Sequence, residues 1–324
     1  MIGEKMKKSL LYAFIVLSVT INAQVIPTVN SKGGAMVLPE GKFKMLIKNI
    51  SFDKDTMYKG TNEVYNQQGL DASANITLFG LVYGVSKNMD LKVIVPYKRL
   101  SADATLPNTY AAMKFPVKID NKGLGDIIVM GRYKLVSMKD KGYAISIGAG
   151  VKLPTGSSDE KFEKGPPSNP NMTTPMPTQL GTGSAEYKLE LGFSKMLMPN
   201  MRIDAHTMYT YRPDAKHDYD FGDELSYDLG INYAVLKSLN LGIEYNGKYN
   251  TDTDSGTDPE PVNPFPFKSF SGTIGYITPQ IQWLPFDKPK IHVDFGVSLL
   301  THYNASVYQP LEKQRYIFMV GYLF

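Results

Sequence analysis

Ionisable side chains recur at every second position in several segments of this 324-residue chain. In the stretch "RIDAHTMYTY" (202–211), Arg202, Asp204 and His206 alternate with apolar or small neighbours. Because side chains alternate across a β-strand, such a segment carries its ionisable groups on one face. Taken over all segments, this set consists of Lys92, Asp126, Arg132, Lys152, Lys188, Glu190, Arg202, Asp204, His206, Asp228, Glu244, His292 and Asp294.

Nucleophilic catalysis and metal binding are the reactions that such residue types could support. A serine hydrolase needs a serine beside a histidine, but none of the four histidines precedes a serine by two residues. His292 and Asp294 share one face, yet two ligands at this spacing do not define a metal site. The sequence therefore predicts no catalytic residue, no metal, no cofactor and no enzymatic activity.

The N-terminus has the order of an exported precursor. Three lysines precede an apolar run over about 9–21, and Ala23 occupies a cleavage position before Gln24. We predict a signal peptide over 1–23 and an N-terminal segment over 24–40 on the periplasmic side. The chain has no cysteine, which excludes a lipid anchor on an N-terminal cysteine, and its net charge of +4 argues against nucleic acid as a partner.

The period of two dominates the rest of the chain. It is clear in "YAISIGAGVKL" (143–153) and recurs in about twelve segments, whereas a helical period is not sustained after the signal. The fold class is therefore all-β, and we predict a transmembrane antiparallel up-and-down β-barrel of about 12 strands over 41–324. Weaker strand candidates lie at about 41–54, 69–86 and 268–284.

Connections alternate between short and long. Short ones lie at 86–90, 137–142, 196–200, 236–239 and 284–289; long ones lie at about 55–68, 100–122, 154–183, 213–221, 251–267 and 302–312. Short turns at one end and long loops at the other are typical of barrels in the outer membrane of Gram-negative cells. The last strand, "YIFMVGYLF", ends in the aromatic Phe324. We expect outer-membrane lipid and, through this strand, the barrel-assembly machinery as partners.

The placement of tyrosine and the number of strands predict which face meets lipid. Tyrosines cluster near strand ends on the apolar face, as in the aromatic girdles of membrane barrels. Twelve strands also enclose a space that apolar side chains would not fill. The apolar face therefore points outward, and Ser146 and Lys152 point into the lumen. The lumen charges are nearly balanced, which predicts a narrow, partly plugged lumen and a cross-strand pair between Glu190 and Arg202.

Three motifs mark strand–loop junctions: "GLGDI" (123–127), "KLPTGSSD" (152–159) and "LGTGSAEY" (180–187). Their glycines can supply turns or bulges, and this structural role is favoured over ligand contact. The motifs resemble those of the outer-membrane proteins named for the meta pathway of phenol degradation, most densely over roughly 120–200. This resemblance implies an outer-membrane barrel for uptake of small, often hydrophobic, compounds, and carries no functional residues with it.

The expected function is that of an outer-membrane channel or transporter for passive uptake of small, aromatic or otherwise hydrophobic, molecules. Two alternatives stay open: a structural or adhesive barrel with a non-conducting lumen, and a soluble exported β-protein that binds lipid. The long loop at 154–183 is rich in proline and polar residues. It is either mobile decoration or a loop folded into the barrel mouth.

Overall fold

A computed structural model describes residues 34–107, 114–167, 169–256, 269–285 and 290–324. The predicted signal peptide and its cleavage position lie outside these residues. Fifteen strands are described, together with the short helix α1 (Met138–Lys141) and 3₁₀ turns at Met176–Thr178 and Lys216–Asp218. The strands are β1 Phe43–Lys54, β2 Thr56–Gly60, β3 Asn62–Val64, β4 Asp71–Ser86, β5 Met89–Pro107, β6 Lys114–Leu124, β7 Ile127–Val136, β8 Tyr143–Leu153, β9 Glu186–Met198, β10 Met201–Tyr211, β11 Glu224–Leu236, β12 Leu239–Asn250, β13 Gly272–Trp283, β14 Ile291–Leu311 and β15 Gln314–Leu323.

Twelve of these strands close into one antiparallel barrel. The strand order is β1, β4, β5, β7 to β13, β14 and β15, with β13 pairing β14 and β15 pairing β1. The backbones of Phe43 and Phe324 exchange two hydrogen bonds of 2.9 Å where the first and last strands meet. Closure removes every exposed sheet edge in the wall, which a barrel in lipid requires. The predicted twelve-stranded transmembrane barrel is confirmed.

The two ends of the barrel differ as the loop lengths predict. At one end, the short-turn end, residues 87–88, α1, 199–200 and 237–238 connect neighbouring strands. The opposite end, the long-loop end, carries the long connections. All three weaker strand candidates form barrel strands, β1, β4 and β13.

Three stretches expected to be long loops contain β-structure, and the first of them, 55–68, forms β2 and β3. Strand β5 continues to Pro107 and pairs with β6, and β14 continues to Leu311, where it pairs with β2. These extensions pack a small apolar core above the long-loop end, with Met57, Leu106 and Ile119 almost fully buried. In the β5 extension, buried Ala102, Ala104 and Leu106 alternate with polar residues, so the period of two continues where a loop was expected.

The outer wall is apolar and exposed. Leu229 in the middle of β11 is 50% exposed, and Ile147 on β8 is 48% exposed. Aromatic rings stack near both ends: Phe43 lies 5.5 Å from Phe324 at the short-turn end, and Tyr187 lies 6.4 Å from Tyr211 at the long-loop end. An apolar band between aromatic girdles fits lipid and would be costly in water. Among the described residues no helix is long and apolar enough to span a membrane.

The lumen is lined unevenly. Strands β7 to β14 direct mainly polar and charged side chains inward, including Ser146, which is 1% exposed. Strands β1, β4 and β5 also turn apolar side chains inward, as where outward Met45 and Ile47 flank inward Leu46, but the inward face of β1 carries Lys44 and Lys48 as well. The inward apolar residues of this wall include Leu46, Ile76, Leu78, Ile94 and Leu100.

Candidate functional site: the barrel lumen

The ionisable residues singled out in the sequence lie on the inner side of the barrel. Alternation along each strand directs them inward, and nearly all are buried. Lys92 is partly buried. The buried members are Asp126, Arg132, Lys152, Lys188, Glu190, Arg202, Asp204, His206, Asp228, Glu244, His292 and Asp294.

A charged network inside the lumen joins side chains from β7, β9, β10 and β11. The Arg132 Nε on β7 donates to Glu190 Oε1 on β9 at 2.7 Å. The His206 imidazole on β10 lies between two carboxylates, with Nε2 3.2 Å from Glu190 and Nδ1 3.4 Å from Asp228. Burial makes an unpaired charge costly, so the four groups hold one another in place along the wall.

The predicted pair between Glu190 and Arg202 is wrong. In the β9–β10 register Glu190 lies opposite Met208, whereas Arg202 lies opposite Met196 beside the turn. The two residues are therefore separated by about six positions along the strands. Arg202 pairs instead with Asp204, with Nη2 2.6 Å from Oδ1, and also donates to Ser194 Oγ at 3.2 Å.

His292 and Asp294 form a pair of their own near the short-turn end of β14. The His292 Nδ1 lies 2.7 Å from Asp294 Oδ2, and both residues are almost fully buried. Among the described residues no three His, Asp or Glu side chains are arranged to hold a metal ion.

The segment before β1 lies inside the lumen. The Ala35 N–H donates to Ser194 Oγ on β9 at 2.9 Å, and Ala35 is fully buried. A Cβ placed on Gly34 would overlap Asp204, so the backbone rests against the inner face of β10. Because only glycine allows this approach, the start of the segment is fitted closely to the wall.

The same segment then continues along the wall as far as β5. The Met36 carbonyl accepts a hydrogen bond of 3.4 Å from Arg132 Nη1, and the Leu38 N–H donates to Asp90 on β5 at 2.9 Å. Residues 34–38 thus run along the inside of the wall. They contact inward side chains of β10 first, then of β9, β7 and β5. We call residues 34–40 the N-terminal plug. It narrows the lumen near the short-turn end.

Sequence reasoning missed the plug and its anchors. Nothing in "GAMVLPE" (34–40) has a strand or helix period, so the pattern could not place it. Asp90 lies two residues before Lys92 on the same face of β5, and the alternation would have identified it as inward. Ser194 is a small polar residue on the inward face of β9, which is too common a feature to single out.

The three sequence motifs meet at Asp126. The Asp126 carboxylate accepts hydrogen bonds from the Gly156 N–H at 2.9 Å and the Thr182 N–H at 3.0 Å, and pairs with Lys152 at 2.8 Å. One residue from "GLGDI" therefore joins backbone from the other two motifs. A charged acceptor with several donors is strongly held, so Asp126 fixes both ends of the loop between β8 and β9 to the long-loop end of the wall.

Close backbone packing explains two of the motif glycines. A Cβ on Gly156 would lie 2.9 Å from the Gly125 carbonyl carbon, and one on Gly181 would overlap the Gly156 carbonyl oxygen. The motif glycines thus stack where three chain segments converge. This geometry matches the structural role favoured from the sequence.

The long loop at 154–183 folds into the barrel mouth in its described part. Gln179 is 3% exposed, and its amide nitrogen donates to the Thr174 carbonyl at 2.7 Å. Asn121 on β6 donates to Thr174 Oγ1 at 2.9 Å, which ties the loop to the extended sheet. Of the two readings of this loop, the structure supports the folded one.

Another buried ion pair lies where β14 turns into β15. Glu312 pairs with Arg315, whose guanidinium carbon lies 4.0 Å from the centre of the Tyr276 ring. Burial raises the pKa of the Glu312 carboxyl, but the charges of Arg315 and Lys54 outweigh burial and lower this pKa to about 2. The stabilisation from this pair is present above the ordinary pKa of glutamate and is lost as the pH falls through about 2.

One solved structure shares this architecture, and two others are similar to a lesser degree. An outer membrane channel from Pseudomonas putida F1 aligns with a TM-score of 0.65 at 12% identity, covering 92% of this chain and all of that one. A toluene transporter of Pseudomonas putida, TodX, aligns at 0.47 and 10% identity, covering 94% of this chain and 97% of its own. A FadL homologue of Pseudomonas aeruginosa aligns at 0.47 and 8% identity, covering 94% and 99%. No curated protein sequence matches the chain.

The fold and the lumen define a twelve-stranded transmembrane β-barrel with a polar interior and an N-terminal plug. A family model described as "Putative MetA-pathway of phenol degradation" matches residues 55–312. The chain belongs to this family. The resemblance found in the three motifs is therefore confirmed.

Proposed function

We propose that the protein is a channel in the outer membrane of a Gram-negative cell, through which small, aromatic or otherwise hydrophobic, molecules diffuse passively. The observation that carries this proposal is the two-sided lumen. Ser146 and Glu190 belong to the polar side of the lumen, whereas Ile76 and Leu100 belong to the side on which apolar residues also point inward. An interior of this kind accommodates both water and apolar solutes.

Three further observations support the proposal. The exposed apolar outer surface of the barrel and its aromatic girdles fit a bilayer. The family name refers to phenol degradation, and a solved structure with the same fold is an outer membrane channel. Passage needs the N-terminal plug to move, because residues 34–38 contact the lumen wall from β10 to β5. The channel is therefore closed at rest and opens when the plug shifts.

Fractionation and solute flux test the proposal. We expect the mature chain in the outer membrane, folded by the barrel-assembly machinery through the strand that ends in Phe324, and migrating faster on a gel unheated than boiled. Liposomes containing it should swell slowly in arabinose. A soluble periplasmic protein would contradict the location, and liposomes that never swell would favour a structural barrel.

A further inference from the structure

A cavity lies at the long-loop end of the lumen, against the apolar wall. Its volume is about 260 Å³, and its lining includes Phe52, Ile76, Leu100 and Ile119. For comparison, a cavity of about 150 Å³ lined by such residues in another protein holds benzene. The space and its lining therefore suit a molecule with a single ring or a short branched chain.

Charge sets this cavity apart from a purely apolar pocket. Two lysines, Lys54 and Lys98, belong to its lining, which contains neither aspartate nor glutamate. The Lys98 ammonium donates to the Leu180 carbonyl at 2.7 Å, and an ammonium carries three donor hydrogens. Lys54 lies 3.6 Å from Glu312 and 5.7 Å from the centre of the Phe52 ring. The cavity thus combines an apolar body with two positive groups.

Charged side chains in the lumen around the cavity add further positive groups. A belt of ion pairs runs along the wall at the same end, from Lys152 through Glu186 and Arg212 to Glu224. Within the described chain, the groups joined by these ion pairs and the two cavity lysines comprise seven cations and four carboxylates, and Asp214, Asp220 and Asp223 lie beyond them next to Arg212. The cations are Lys54, Lys98, Lys152, Lys188, Arg212, Lys248 and Arg315, and the carboxylates are Asp126, Glu186, Glu224 and Glu312.

We infer that this cavity binds a small apolar molecule that carries one carboxylate, with the ring or chain against Phe52, Ile76 and Leu100 and the carboxylate against Lys98. The inference rests on the proposed channel function and names the solute class that the mouth selects. A basic ring draws anions into a pore, and burial of the apolar body adds affinity that a bare anion lacks. The cavity then concentrates such solutes above the N-terminal plug.

Binding of benzoate to the purified full-length protein in detergent tests this inference. Equilibrium dialysis should show one saturable site for labelled benzoate, at least about tenfold tighter than for benzyl alcohol or acetate. Lys98→Gln should weaken benzoate binding about tenfold and leave benzyl alcohol binding unchanged, which also shows that the cavity is intact. Arg99→Gln is the matched control, because Arg99 is the adjacent cation on β5 but points outward, with its side chain 63% exposed.

Equal binding of benzoate and benzyl alcohol would overturn the inference, as would unchanged benzoate binding in Lys98→Gln. Unchanged benzyl alcohol binding guards against a misfolded variant, and Lys54→Gln on β1 provides a second variant in the lining of the cavity. Failure here is separable from failure of the channel. If liposomes containing the protein swell in arabinose but the protein does not bind benzoate, the channel function is supported and the binding site is contradicted.

Discussion

Removing the N-terminal plug should raise the conductance of the barrel in planar bilayers by at least about tenfold. The variant lacks residues 25–39 and keeps Gln24 after the predicted cleavage position. We expect a higher conductance because the plug takes up space in the lumen. Ala35 is fully buried against β9, and the Leu38 N–H donates to Asp90 on β5. Single-channel recording at a fixed salt concentration measures the change.

A milder variant serves as the control. Ser194→Ala together with Asp90→Asn keeps the whole chain but weakens both anchors of the plug. We expect frequent brief openings and a mean conductance between those of the wild type and the deletion. A deletion variant that conducts no better than wild type would show that the plug does not close the lumen.

Arginine in place of Leu229 should lower the free energy of unfolding by ~2–4 kcal/mol, since a charge at the bilayer midplane must be stripped of water. Leu229 is 50% exposed on the outer wall and lies near the middle of β11. Denaturant unfolding of the protein refolded into lipid vesicles measures the difference.

Leu225→Arg is the matched control for this prediction. Leu225 is 42% exposed on the same face of the same strand, but it lies next to the first residue of β11 at the long-loop end. Near the interface the cost should fall to ~0–1 kcal/mol. If both variants lost the same free energy of unfolding, the outer surface of β11 would not cross the bilayer with Leu229 at its centre and Leu225 near the interface.

The barrel could be predicted from the sequence because its evidence is local and repeated. Most strands of the polar wall alternate clearly, as in 143–153, and the length of each connection shows at which end it lies. Strands β1, β4 and β13 gave weaker signals because both of their faces carry apolar residues. The extensions of β5 and β14 were missed because their stabilising core forms only when β2 and β6 pack beside them.

The sequence predicts which side chains of the candidate site point into the lumen, but it does not predict which of them contact one another. Alternation placed Glu190 and Arg202 inside the lumen, whereas their partners depend on the register of β9 with β10 and on the irregularity beside Arg202. The meeting of three motifs at Asp126 joins residues up to 56 positions apart. Such contacts follow from the closed topology, which no short pattern encodes.

The central claim, that solutes pass through a lumen closed by the N-terminal plug, can be tested by locking the plug in place. The chain has no cysteine, so Ala35→Cys with Ser194→Cys introduces a single pair where the Ala35 nitrogen and the Ser194 side chain lie 2.9 Å apart. The rate at which liposomes containing this variant swell in arabinose is measured before and after reduction of the disulfide. We predict swelling at the wild-type rate when the pair is reduced and at the protein-free rate when it is oxidised. Equal swelling in both states, with the disulfide shown to have formed, would contradict the account.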